Sequence, residues 1–334
     1  MPFEGVPHAA TWLCWPFKEA NWSAPLESVR VEFAQFVECL AEVEQVELLV
    51  ATEEAASDVR NRLQPRFRER VRLHYAEIDD VWFRDCGPIF LTRGTPEALE
   101  VSATVWNFNA WGNKFQYGLD CQVARTVCRE LGIEPFEGPL TLEGGAIEVD
   151  GAGTGMTTLP CLLGTTRNPG LVCQDVEVSL CQYFGVDRWI WLDYGLEGDH
   201  TDGHIDTLAR FVRPGVVVAA TCARDDANYQ GLQRNRRALR NAGQQVIDLP
   251  IPSRARFVSG LRLPETYANY YVANEVVIVP QYGDRHDARA LAILRECFPR
   301  RQVVGLMSKA IITGGGSFHC LSQQQPQGIL CSSR

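Results

Sequence analysis

Apolar residues recur at helical spacing soon after Pro25. Val29, Phe33, Phe36, Val37, Leu40 and Val43 line one face and predict a first long helix. Trp12-Leu13-Cys14-Trp15-Pro16 opens the globular part before it. A strand is predicted over residues 46–50, then a short polar helix, then a β-branched and aromatic strand over 71–78 that runs into Asp79-Asp80-Val81-Trp82-Phe83-Arg84-Asp85-Cys86-Gly87-Pro88. The same order returns downstream. A strand and a helix ending near Gly132 lead to Leu142-Glu143-Gly144-Gly145 and another strand, and Trp189-Ile190-Trp191-Leu192 precedes Gly198-Asp199-His200-Thr201-Asp202-Gly203-His204-Ile205-Asp206. After a strand over 216–220 and a helix over 232–242 comes Leu263 to Tyr271. A strand over 276–279, a helix over 288–297 and a strand at Val303 then lead to Gly314-Gly315-Gly316-Ser317-Phe318-His319-Cys320.

The polar stretches at Asp85, Glu143, His204, Asn269 and Cys320 recur at a period of about sixty residues, each unit carrying strand and helix. This predicts an α/β fold built as a closed radial array whose loops converge on one axis. Chance spacing is the competing explanation, because the units share no residue-by-residue identity. No Pro/Ser-rich linker or charge run divides the chain, so a single domain over residues 1–334 is expected.

Composition narrows the function class. With 334 residues, 46% hydrophobic and 22% charged, the chain can bury a large core and is not of disordered type. Asp and Glu number 41 against 32 Lys and Arg, a net charge of -9 with no basic run, which argues against a nucleic-acid partner and suits a small cation. No apolar stretch is long enough for a membrane span, and Met1-Pro2-Phe3-Glu4-Gly5 does not open a secretory leader, so a cytoplasmic protein without membrane attachment is expected. The twelve cysteines are scattered and form no C-x-x-C pair, against a disulfide scaffold or zinc ribbon.

Among them, Cys320 follows a run of three glycines that lets the backbone approach a ligand, and precedes Gln323-Gln324-Gln325-Pro326. It is the candidate nucleophile, with a small buried thiol as the alternative. The polar stretches supply many acids: Asp80, Asp85, Glu143, Asp202 and Asp206. Carboxylates around a carbonyl would hinder a thiol protease, but they match the five N–H donors of a guanidinium, which a carboxylate pair also keeps protonated and electrophilic. Asp85 and Asp206 are the candidate clamp. For Asp85 the alternative is a turn cap or salt bridge beside Arg84, and for Asp206 a solvated strand residue. His204, two residues before Asp206 and on the same side if the segment is extended, is the candidate general acid and base. His200-x-x-x-His204 with Asp202 or Asp206 is a rival metal set, disfavoured because Gly198 and Gly203 argue against a helix there. No metal and no cofactor are expected.

Seven segments together resemble the agmatine deiminase family, also called agmatine iminohydrolases or bacterial-type peptidylarginine deiminases. They are Asp79 to Pro88, Asn107-Phe108-Asn109-Ala110-Trp111-Gly112, Leu142 to Gly145, Thr165-Thr166-Arg167-Asn168-Pro169, Thr201 to Asp206, Tyr267-Ala268-Asn269-Tyr270-Tyr271, and Gly314 to Cys320 with Gln323 to Pro326. The resemblance implies the pentein fold, a five-bladed α/β propeller of ββαβ-type repeats. It implies Cys320 as nucleophile, His204 as general acid/base, Asp85 and Asp206 on the guanidinium, and Glu143 as an auxiliary acid near His204. Trp82 is implied as a pocket wall, with Asp80, Trp111, Asn269 and Gly316 lining the site. The implied reaction hydrolyses agmatine to N-carbamoylputrescine and ammonia through a covalent thiouronium on the cysteine, with no cofactor. The implied partner is a small cationic guanidine, and a homo-oligomer is compatible with the sequence. Peptidyl or free arginine is the alternative substrate, and amidino transfer to an amine the alternative reaction. Two departures are visible. Ser317 and Phe318 stand where the family usually has Gly and Ile, and Asn113 stands where it commonly has a second Gly; both are expected to reshape the pocket.

Overall fold

A computed structural model describes residues 1–95 and 98–331. One β–α–β unit recurs five times. In each, a central strand pairs parallel with a strand reached through a helix. The strand His8–Cys14 leads through the helix Leu26–Ala41 to Gln45–Val50, and Ala98–Asn107 through Asp120–Leu131 to Phe136–Thr141. Thr154–Thr158 leads through Cys173–Phe184 to Arg188–Leu192, and Val216–Thr221 through Tyr229–Asn241 to Gln245–Pro250. Val276–Gln281 leads through Asp287–Cys297 to Gln302–Met307. On its other edge each central strand pairs antiparallel with Gln323–Pro326, Ile89–Thr95, Glu148–Val149, Ala209–Arg213 or Tyr271–Val272, in the same order of units. In the first unit this partner comes from the far end of the chain, in register from Ala10 opposite Gln325 to Trp12 opposite Gln323. That pairing ties the two ends together. Among the described residues the five sheets share no strand and no single sheet closes on itself.

Local chemistry explains the elements. The central strand Val276–Gln281 reads as a nearly continuous apolar run and is buried along its whole length. The first helix follows Pro25, whose fixed φ suits a helix start, and buries Val29, Phe33, Phe36, Val37 and Leu40 along one stripe. Thr52 caps the next helix by accepting from the Ala55 amide at 3.1 Å. Gly132 and Gly185 end their helices in the left-handed conformation, at φ 68° and 62°. The strand predicted over 71–78 stops at Tyr75, and residues up to Asp80 form irregular backbone that carries the acidic segment inward. No helix among the described residues is long and apolar enough to cross a membrane.

The repeat places the site. Asp85, Glu143, His204 with Asp206, Asn269 and Cys320 all lie in the short segment just before the antiparallel strand of their unit. Behind Cys320, Phe318 stacks on Phe36 with ring centroids 4.6 Å apart, and Phe36 meets Phe33 edge to face. Replacing Phe36 with Ala should therefore cost about 3–5 kcal/mol of stability, read as a lowered urea midpoint at unchanged secondary structure. A change below about 1 kcal/mol would show that this face does not support the Phe318 segment.

Candidate active site

Four short turns carry the acidic and sulfur groups. Asp85 lies in the helical turn Phe83–Cys86, and Glu143 immediately precedes the turn Gly144–Ala146. His204 precedes the turn Ile205–Thr207, which contains Asp206, and Cys320 lies in Phe318–Leu321. His204 and Asp206 are thus not on one extended strand. Gly203, at φ 99°, turns the chain and a 3₁₀ turn follows, so the two side chains converge through a tight bend. Cys320 likewise sits just after the glycine run, in a turn of helix.

The groups meet in a buried cluster. The Cys320 thiol faces Asp206 Oδ2 at 3.4 Å, and the Asn269 amide nitrogen donates to Cys320 Sγ at 3.1 Å. The Asn269 carbonyl oxygen accepts from the amides of Ser317 and Cys320, at 3.1 and 3.3 Å, so one side chain fixes both the loop and the sulfur. His204 lies between two acids, with Nδ1 3.7 Å from Asp85 Oδ1 and Nε2 3.9 Å from Glu143 Oε2. Neither ring nitrogen has a hydrogen-bond partner, nor does Asp206 Oδ1, although all three are buried. Unpaired buried polar atoms are costly and mark a place where a polar ligand belongs.

Backbone geometry aims these groups. Asp85 Oδ1 accepts from the Gly145 amide at 3.0 Å and Oδ2 from the Trp111 indole at 2.9 Å. A Cβ on Gly145 would stand 2.6 Å from His204 Nδ1, 2.8 Å from Asp85 Oδ1 and 3.2 Å from Asp206 Oδ2. Gly145 is therefore bare because the pocket occupies its side-chain volume. Trp111 is held in the left-handed region at φ 55°, between Ala110, Gly112 and Asn113, which are also at positive φ. That strain, unusual for so bulky a residue, is what delivers the indole N–H to Asp85. Asn113 tolerates φ 63° better than most side chains do. Ser317 is extended, bonds Ser308 at 2.7 Å and needs no glycine, while Phe318 points into the core. The side chains at 317 and 318 thus face Ser308 and Phe36.

Trp82 closes the cluster. A Cβ on Gly316 would meet its ring at 2.8 Å and Cys320 Sγ at 3.1 Å, and Trp22 packs on Trp82 with centroids 5.7 Å apart. Of the neighbouring acids, Asp79 turns to Lys18 at 3.3 Å and to the Leu119 amide at 2.8 Å. Asp80 stays beside Trp82, where burial pushes its carboxyl up to about 6. A cleft of about 1000 Å³ lined by Phe3, Leu91, Gln182 and Ile329 among others contains none of these groups.

Charge is tightly balanced. Burial, with Asp206 and Glu143 nearby, pushes the Asp85 carboxyl up to about 6, against the pull of His204. Asp206 is held below the usual carboxylate range despite burial because His319 bonds it, and Glu143 is held down despite burial by His204 and by Arg167, whose Nε donates at 2.6 Å. Burial would lower His204, but Asp85 and its other neighbours outweigh it and favour the imidazolium. Burial first, then Asp206 and Asp85, push the Cys320 thiol well up. The resting pair is thus a neutral thiol and a cationic imidazole, in a pocket that gains from a further positive charge.

Among the described residues, Glu143, Cys161 and His204 are the set that could share a metal ion, with ligand atoms within 4.8 Å of one another. The His200–His204 pair does not form one. His200 packs against Trp111 and Phe115, with centroids 5.8 and 5.5 Å away, and Asp202 is taken by Lys114 and Arg167. Sequence reasoning missed Glu4, Cys161 and Trp22, and gave no role to Arg167 or His319, although both lie inside the segments that carried the resemblance.

Comparison with known proteins decides the family. The sequence profile of Porphyromonas-type peptidyl-arginine deiminases matches residues 1–326. The chain belongs to that family. Among curated proteins of this deiminase family, a putative agmatine deiminase of Selenomonas ruminantium is 37% identical over 98% of this chain and 95% of its own length. The agmatine deiminase of Ectopseudomonas mendocina is 36% identical with the same coverage. The solved agmatine deiminase of Enterococcus faecalis superposes with a TM-score of 0.88 at 29% identity, over 98% of this chain and 95% of that one.

The electrostatics of the deiminase site make one prediction that needs no substrate. Because Asp206 raises the Cys320 thiol, Asp206→Asn should lower it and speed iodoacetamide alkylation at pH 8, about tenfold for each unit by which the thiol falls. The readout is mass spectrometry of the peptide containing Cys320. Unchanged or slower labelling would mean that this carboxylate does not control the sulfur.

Proposed function

We propose that the protein is an agmatine deiminase, hydrolysing the guanidinium of agmatine to N-carbamoylputrescine and ammonia. The observation that carries the reading is the buried convergence of one thiol, one imidazole and the Asp85, Asp206 and Glu143 carboxylates beside Gly145, whose missing side chain leaves room for them. Full-length similarity to agmatine deiminases supports agmatine as the substrate. The five β–α–β units are read as blades of one pentein propeller spanning residues 1–334, in a cytoplasmic enzyme.

The guanidinium enters between Asp85 and Asp206, against Trp82, and neutralises two carboxylates that hold the thiol protonated. The arriving cation makes the thiolate accessible; its proton leaves to solvent, and Cys320 Sγ attacks the guanidinium carbon. His204 gives its proton to the departing nitrogen, the C–N bond breaks, and ammonia leaves a cationic thiouronium on sulfur. Neutral His204 then takes a proton from water as hydroxide adds to the same carbon. Collapse breaks the C–S bond, returns the thiolate, and releases the ureido product as the added hydroxyl loses its proton. Glu143, fixed by Arg167, and Asp85 stabilise the imidazolium whenever it forms.

Ammonia release from agmatine, with free arginine and an arginyl peptide in parallel, tests the reading. Turnover of agmatine, abolished by Cys320→Ala, is expected; turnover of arginine alone would keep the mechanism and overturn the substrate. The clamp also dictates the pH profile. Asp85 must be ionised to hold the cation, so kcat/KM should fall on the acid side below about pH 6. The same raised carboxyl contributes to folding stability in its protonated form, a contribution lost as pH rises through about 6. Activity that stays flat down to pH 4 would contradict the role of Asp85.

A further inference from the structure

Behind the nucleophile runs a line of buried charges that the cycle above does not use. His319, the residue before Cys320, places Nδ1 2.7 Å from Asp206 Oδ2 and Nε2 2.7 Å from Glu4 Oε2. Glu4 belongs to the N-terminal segment, 315 residues away in the chain. Its Oε2 also takes Arg210 at 2.8 Å and Arg84 at 3.5 Å, and its Oε1 accepts from the Val272 amide at 2.9 Å. Arg210 in turn bonds Glu148 at 2.9 Å and the Tyr270 carbonyl at 2.7 Å, and Arg84 bonds Gln324 at 2.9 Å. Every one of these charged side chains is buried.

The hydrogen-bond inventory of the ring follows from its two neighbours. Arg210 and His319 hold Glu4 well below the usual carboxylate range against the cost of burial, and His319 does the same for Asp206. Ionised carboxylates only accept, so a ring that meets one on each side donates from both nitrogens. Both ring nitrogens of His319 thus face carboxylate oxygens, Asp206 on one side and Glu4 on the other, the arrangement of a ring that donates from each. Asp206 Oδ2 is then fully occupied, by His319 and by the Cys320 thiol, while Oδ1 is buried without a partner. One oxygen of this carboxylate is bound and the other is reserved.

We propose that His319, clamped between Asp206 and Glu4, is a positioning residue that locks the Asp206 carboxylate with Oδ1 free for the guanidinium, so that the N-terminal segment completes the active site. This rests on the deiminase reading of the site. The groups that face Asp206 are His319, His204, Arg210, Cys320 and, across the pocket, Asp85. In the wild type Asp206 is already ionised where Asp85 titrates, so one carboxyl shapes the acid side of kcat/KM. Without His319 beside it, the burial of Asp206 is no longer offset, and a second carboxyl joins it.

The test uses the full chain with [15N]histidine and two variants, His319→Asn, whose amide can still donate to Asp206, and Glu4→Gln. At pH 7 the ring signal lost in His319→Asn should be one with both nitrogens protonated. In that variant kcat/KM for agmatine should fall more steeply on acidification than in the wild type, about tenfold per added unit of Asp206 shift, with the loss carried mainly by KM. Glu4→Gln should change the slope in the same direction by less, and it decides the matter if His319→Asn does not fold. A singly protonated ring at 319 overturns the proposal, as do wild-type acid slopes in well-folded variants. If the wild type releases no ammonia from agmatine, the deiminase reading fails, and the histidine spectrum still decides the state of His319.

Discussion

The rest of the site depends on one constraint: three carboxylates and a sulfur are buried together, and their repulsion must be balanced at every stage. Asp85, Asp206 and Glu143 lie around His204 and Cys320 with almost no solvent to screen them. Two like charges about 4 Å apart repel by roughly 4 kcal/mol at an effective dielectric near 20, enough to shift a carboxyl by several units. Compensation is therefore built in piece by piece. Arg167 holds Glu143, His319 holds Asp206, and His204 shares Asp85 and Glu143. What remains uncompensated suits one further cation, and in the proposed cycle that shortage both binds the guanidinium and releases the thiolate that attacks it.

The fold supplies this balance by repetition. A short turn lies just before the antiparallel strand of each unit, and each turn delivers one part of the site: Asp85, Glu143, His204 with Asp206, Asn269, then Cys320. Because the turns are short and their site side chains are buried, those side chains have little freedom. The pairing of Gln323–Pro326 with His8–Cys14 matters beyond the sheet, since it brings the N-terminal segment beside the Cys320 turn and puts Glu4 within reach of His319.

Much of this was legible in the sequence because the chemistry sits in compact motifs at a regular spacing. The strands over 216–220 and 276–279 announced themselves by uninterrupted β-branched runs, and the five polar stretches by their period. What was not legible depended on backbone turns or on contacts between distant segments. Treating His204 and Asp206 as one face of an extended strand failed because Gly203 and the Ile205–Thr207 turn rotate them by another route. The left-handed run at Ala110 to Asn113 leaves only Gly112 as a sequence signal. Glu4 has no local pattern at all, and its role exists only through His319, Arg84 and Arg210 from three other parts of the chain. Ser317 and Phe318, read as changes to the pocket, prove to face Ser308 and Phe36.

The central claim is that Cys320 forms a covalent bond to the guanidinium carbon. Acid quenching during turnover of agmatine, followed by peptide mass spectrometry, tests it most directly. The account predicts a fraction of the Cys320 peptide heavier by agmatine less ammonia, absent from the other eleven cysteines and absent without substrate. Turnover with no adduct at Cys320, or an adduct on Cys161 or Cys86 instead, would contradict it.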